Sequence, residues 1–106
     1  MNQGAQFSIL TGQGQSGIAV LALRGINARK TAAQIFQASR PQNIASAPEG
    51  ALIYGRVHEN EEQIDEALLA IRRAGAVWQV EINCHGGTVA VRKAAGALER
   101  LSLIHI

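Results

Sequence analysis

The stretch Val80-Glu81-Ile82-Asn83-Cys84-His85-Gly86-Gly87-Thr88-Val89-Ala90-Val91 does most to limit the folds open to this chain. Apolar residues alternate up to Cys84, a double glycine follows, and the residues beyond it recur with helical spacing. Such a change of period marks a strand-turn-helix junction, a place where small-molecule sites are often built. Val77 to Asn83 is therefore expected as a strand and Thr88 to Leu101 as a helix. Val91, Ala94, Ala95, Leu98 and Leu101 form the inward stripe of that helix.

Upstream, Phe7 to Thr11 reads as a short strand, Gly12 to Gly17 as a Gly/Gln-rich turn, and Ile18 to Arg24 as a buried strand. Asn27 is placed to cap a helix whose inner face carries Ala28, Ala32, Ile35 and Phe36, ending near Ala38. Arg40 to Gly50, with Pro41 and Pro48, has turn chemistry and no period, so it is expected as a surface loop. A strand from Ala51 to His58 follows. Local pattern makes Glu61 to Arg73 a helix, because Ile64, Ala67, Leu68 and Ile71 lie on one stripe and Glu, Gln, Ala and Leu favour helix.

With 106 residues there is room for one small domain. Apolar residues make up 47% and charged residues 17%, so a folded core is expected rather than disorder. Ten Lys/Arg stand against eight Asp/Glu, and the basic residues are scattered along the chain, a weak electrostatic footprint for nucleic-acid binding by this domain alone. No apolar run approaches the roughly 20 residues needed to cross a bilayer, and Met1-Asn2-Gln3-Gly4 lacks the charged and apolar regions of a signal peptide. The cytoplasm is the expected location and no membrane partner is expected. Cys84 is the single cysteine, so an intrachain disulfide is excluded. A zinc site is not expected, because Cys84 and His85 lack ligands in paired spacing and His58 and His105 are distant. No G-x-x-x-x-G-K-S/T phosphate loop occurs, so GTP cannot be held here by that route, and no catalytic residue is assigned.

Three segments, taken in order, resemble the N-terminal domain of the MnmE/TrmE family of tRNA-modification GTPases. Val80 to Thr88 is similar to the family's V-E-(I/L)-x-(C/G)-H-G-G strand and turn. Ile9 to Val20 is similar to its T-P-P-G-R-G-A-I-A-V segment. Tyr54-Gly55-Arg56 and Ile64-Asp65-Glu66 match its Y-G-R and (V/I)-D-E. The resemblance runs from Phe7 to Leu101. It implies an α+β domain, a sheet of about five strands with two helices packed on it in the order β-β-α-β-β-β-α, like glycine-cleavage T-type folate-binding domains. It also implies that Glu59 to Glu62 is a hairpin tip and Gln63 to Ile71 a returning strand, against local propensity, and that strand is the reading adopted. The domain is expected over residues 1 to 101. Ser102-Leu103-Ile104-His105-Ile106 looks like translated sequencing adapter, and the chain like a truncated gene fragment.

The resemblance further implies a homodimer that binds formyl-tetrahydrofolate at its interface, with a partner of the MnmG type and tRNA reached through the full-length protein. GTP and K+/Mg2+ would belong to domains outside this sequence. The family's folate-binding Glu falls on Glu81, where a carboxylate can accept two hydrogen bonds from the paired N–H edge of a pterin. Strand alternation equally allows Glu81 to be a solvent-facing residue. The family's Arg falls on Ala22, and Arg24, two residues on and on the same strand face, could reach the site from about 7 Å further along. His85, Gly86 and Gly87 complete the implied cofactor-binding set, the glycine turn offering N–H groups to an anion at a helix start or else serving only as a tight turn. Gln15 replaces the family's turn Arg, and Arg72 to Ala76 stands where the family has S-Y-T-G-E-D. These departures leave open an alternative, a dimerisation module without ligand. A thiol enzyme using Cys84 and His85 is a third reading, against which Cys84 reads as a small buried residue.

Overall fold

Period-two alternation is realised in one twisted sheet that is covered on one face only. The computed structural model describes residues 5–10, 19–101 and 104–105; the expected glycine turn and Gln15 lie outside them. The elements run β1 (Ala5–Ile9), β2 (Ala19–Gly25), α1 (Ala28–Ala32), β3 (Phe36–Ala38), β4 (Leu52–Glu59), β5 (Glu62–Ala74), β6 (Val77–Cys84), α2 (Gly87–Arg100) and β7 (Ile104–His105). The strand order is β3-β4-β5-β6-β2-β1-β7. The first six strands in this order form five antiparallel pairs, and β7 lies parallel to β1. The expected α+β class, the five long strands and the two helices are all present, with β3 and β7 added at the edges.

Side chains of Phe7, Leu21, Leu23, Val57, Leu69, Ile71, Val80 and Ile82 point to one face and are at most 1% exposed. There they meet Ala28 and Ala32 of α1 and Val91, Ala94 and Leu98 of α2. The inward stripe expected for α2 is buried, with Leu101 packed against its edge. Among the described residues no helix is long and apolar enough to cross a membrane.

One local expectation holds and one changes. Residues 62–74 form the strand that the resemblance implies, although their stripe and composition favour helix. β5 pairs with β4 over residues 62–70 and with β6 over residues 67–74, and Ala67, Leu69 and Ile71 turn to the core while Leu68 and Ala70 take the other face. Two ladders of hydrogen bonds outweigh a propensity difference of a few tenths of a kcal/mol per residue. A register shift between Val57 and His58 leaves Ile64 out of the pairing, and it packs against the core.

The first helix stops at Ala32 rather than near Ala38. Ile35 and Phe36 are buried as its pattern requires, but Phe36 reaches the core from β3, opposite Val57. That pairing gives β4 a neighbour on what would otherwise be an open edge. Asn27 occupies the cap position without a side-chain capping bond.

Gly55, the centre of Tyr54-Gly55-Arg56, is set by the same packing. A Cβ there would lie 2.1 Å from the Gln37 carbonyl oxygen and 2.7 Å from the Phe36 ring. Neither atom is the free end of a flexible side chain. Gly55→Ala is expected to destabilise the domain by about 2–3 kcal/mol, lowering Tm by roughly 10 °C or more in thermal unfolding followed by circular dichroism.

Candidate functional site

The face of the sheet opposite the helices carries the residues that the sequence singles out. Cross-strand register lines them up in rows. Gln6, Arg24, Gln79 and Arg72 form one row; Ser8, Ala22, Glu81, Ala70 and Leu52 form the next. Val20, Asn83, Leu68 and Tyr54 form a third, and Arg56 faces Glu66 beyond it. Leu52 and Tyr54, in the first half of β4, are 68% and 67% exposed, unusual for large apolar side chains on a sheet face.

Glu81 stands near the middle of this face. Its side chain is 18% exposed. Oε1 accepts from Arg72 Nε at 3.0 Å and Oε2 accepts from Gln79 Nε2 at 2.8 Å. Each oxygen keeps a lone pair for a further donor. Ala22 and Ala70 flank Glu81 in its own row, so methyl groups bound the carboxylate on both sides. Arg24 is exposed on the same face, across Gln79 from Arg72 and one row from Glu81. The cation in contact with Glu81 is therefore Arg72, which sequence reasoning missed. Gln79, Glu81 and Asn83 could be placed on one face by alternation alone. Arg72 could not, because its position depends on the register of β5.

His85 continues the strand direction of β6, its N–H directed at the Glu66 carbonyl oxygen at 3.4 Å. With Ser39, Tyr54, Arg56, Gln63 and Glu66 it lines an open cavity of about 400 Å³, to which Glu81 and Arg24 do not contribute. The Gly86 N–H donates to Asp65 Oδ2 at 2.7 Å. The Asp65 carboxylate thus serves the start of α2, where both an orphan donor and the helix dipole favour negative charge. Gly86 has an ordinary φ of −78°, so positive φ does not explain it. Its smallness does, since a Cβ would sit 2.9 Å from Ala90 Cβ and 3.3 Å from Asp65 Oδ2. Gly87 is the first residue of α2. The Gly86 donor that could have met an anion is thus occupied by the chain's own Asp65.

The model of the family "GTP-binding protein TrmE N-terminus" matches residues 6–103. The chain belongs to this family. It is 38% identical over 90 residues to the tRNA modification GTPase MnmE of Clostridioides difficile, covering 81% of this chain and 20% of that protein. The proteins of the same name from Pediococcus pentosaceus and Listeria welshimeri are each 34% identical, over 92 and 97 residues, covering 81% and 88% of this chain and 19% and 21% of theirs. The chain spans about a fifth of the length of these curated relatives.

Against this TrmE-type background two features of the site stand out. β5 and β6 are joined by the short turn at Gly75, whose φ of +63° suits glycine. Cys84, next to the histidine-glycine turn, is fully buried in the core. Burial foremost, and then the negative charge of Asp65, push its thiol up from 9.0 to about 11. Among the described residues no group of three or more His, Cys, Asp or Glu is placed to hold a metal ion. With so little thiolate near neutrality, Cys84 makes a poor nucleophile. At pH 7.5 it should resist iodoacetamide in the folded chain and react on addition of guanidinium, as read by intact mass. Because the folded state favours the protonated thiol, this contribution to stability holds below pH 9 and is lost as pH rises toward 11.

Proposed function

We propose that this chain is the folate-binding and dimerisation domain of a tRNA-modification GTPase acting on the wobble uridine. It would hold a tetrahydrofolate derivative, formyl-tetrahydrofolate, against Glu81. The observation that carries the reading is the position of Glu81. It is a half-buried carboxylate on the bare sheet face, both oxygens oriented by side-chain donors, with only methyl groups beside it in its row. A carboxylate held in this way is a preorganised acceptor for the paired donors of a pterin edge, and the alanine ledge leaves room for a flat ring. Arg72 supplies the positive charge missing at Ala22. The folate derivative would contribute the one-carbon unit. This chain binds and orients it, while other domains and an MnmG-type partner act on tRNA.

Dimerisation would use the same face. Leu52, Tyr54, Leu68 and Val20 give it an apolar area without a covering helix, and a second copy of the chain would close it over the ligand. Homologues named tRNA modification GTPase MnmE support the assignment of the parent activity. Ala22 and the short turn at Gly75 favour a second reading, a dimerising domain that has lost its ligand.

Calorimetry and sedimentation separate the two. Formyl-tetrahydrofolate should bind the dimer, and Glu81→Gln should weaken binding at least tenfold without changing the sedimentation coefficient, since a carboxylate acceptor is worth about 1.5–3 kcal/mol to its donors. No heat at millimolar ligand with the dimer intact leaves the ligand-free module; a strict monomer removes both.

A further inference from the structure

Asn83 follows Glu81 on the bare face of β6, one row further along, with Val20 on one side of it and Leu68 on the other. One bond holds its side chain: Nδ2 donates to the Leu68 carbonyl oxygen at 3.1 Å. An amide has a donor end and an acceptor end, so committing the nitrogen to that carbonyl leaves Oδ1 as the free end. Among the described residues none donates to Oδ1. The donors of the neighbouring rows are engaged elsewhere. Gln79 and Arg72 serve Glu81. Arg73 donates to the Gly75 carbonyl oxygen, and its guanidinium lies over the Trp78 ring, 4.9 Å from the centroid, with Arg29 over the same ring at 3.7 Å. Arg24 stands two rows away, beside Gln79. β6 thus presents two held acceptors, Glu81 and Asn83, about 7 Å apart along the strand, each flanked in its row by apolar side chains and each with a lone pair left over.

We propose that Asn83 sets which oxidation states of a pterin the site accepts: rings that carry a hydrogen on N8 are taken, and the fully oxidised ring is refused. The proposal rests on the reading of Glu81 as the pterin acceptor. With the 2-amino group and N3–H on Glu81, N8 lies further along the same edge of the bicycle, beyond N1, and Asn83 Oδ1 is the acceptor further along the same strand. In tetrahydrofolate and its formyl derivatives N8 is an N–H and donates to Oδ1. In 7,8-dihydrofolate N8 is also an N–H, although N5 carries no hydrogen. In folic acid N8 has only a lone pair, which would face the lone pairs of Oδ1, so two acceptors meet with no donor between them. The amide cannot adapt by turning its NH2 towards the ring without giving up the Leu68 carbonyl, and Gln79 is likewise held by Glu81. A site built to hydrogen-bond one form of a ligand discriminates more sharply than an apolar wall, because the wrong form leaves its polar groups unpaired. Selection therefore acts at N8 and not at N5, and dihydrofolate belongs to the ligand class as fully as the tetrahydro form.

The test is isothermal titration of the 106-residue chain with formyl-tetrahydrofolate, 7,8-dihydrofolate and folic acid under reducing conditions. The first two are expected to bind within about threefold of each other, and folic acid about tenfold or more weaker. Asn83→Leu removes the acceptor at similar size. It should weaken the two reduced ligands about tenfold and leave folic acid within about twofold, so that the preference collapses, whereas a change in packing alone would weaken all three together. Circular dichroism reports the fold of the variant, and the ranking of the three ligands on the unaltered chain tests the proposal whether or not the variant folds. Folic acid binding as tightly as dihydrofolate overturns the proposal and leaves the folate reading intact. Dihydrofolate binding as weakly as folic acid also overturns it, since selection would then act at N5 or at the pucker of the ring. An unchanged preference in folded Asn83→Leu overturns the role of Asn83. No heat from any of the three ligands removes the folate reading, and this inference with it.

Discussion

Two backbone ladders on β5 are the constraint from which the rest of the domain follows. Once residues 62–74 are committed to pairing with β4 on one side and β6 on the other, their side chains must alternate. One set joins Leu21, Leu23, Val80 and Ile82 beneath the helices; the other set faces away with Ala22, Glu81 and Tyr54. A helix over the same residues would remove the centre of the sheet. It would also separate Arg72 from Glu81 and Asp65 from Gly86, contacts that exist only because β5 lies where it does.

Much of this was legible in the chain. The strand-turn-helix at residues 77–101 follows from a change of hydrophobic period, and α2 buries the stripe that its spacing defines. β5 was legible only through family likeness, because the run Ala67-Leu68-Leu69-Ala70-Ile71 is apolar enough to satisfy a period of either 2 or 3.6. The early end of α1 was not legible. Ile35 and Phe36 bury themselves equally well on a helix or at the start of an edge strand, and what decides is the unpaired edge of β4, a tertiary partner invisible locally. For the site, alternation places Glu81 on a face but cannot name its neighbours. Arg72 and Ala70, nine and eleven residues from Glu81 along the chain, arrive beside it through a register set by the turn at Gly75.

The motif residues divide by physical role. Gly55 and Gly86 are small because a strand carbonyl and a carboxylate approach them closely, so both are matters of packing. Asp65 completes a helix start, and Cys84 fills the core. What remains with spare hydrogen-bonding capacity on the bare face is Glu81 with its neighbour Asn83, Arg24 and Arg72 nearby and His85 at the far end beside its own cavity. A domain of this size cannot cover both faces of a seven-stranded sheet with two helices.

The position of Trp78 has a practical consequence. It is the only tryptophan in the chain, and it lies under Arg29 and Arg73 rather than in the hydrophobic centre. Its emission therefore senses charge arriving at that rim while leaving the remote acidic hairpin unreported, so the molecule carries its own optical probe for one end and not the other.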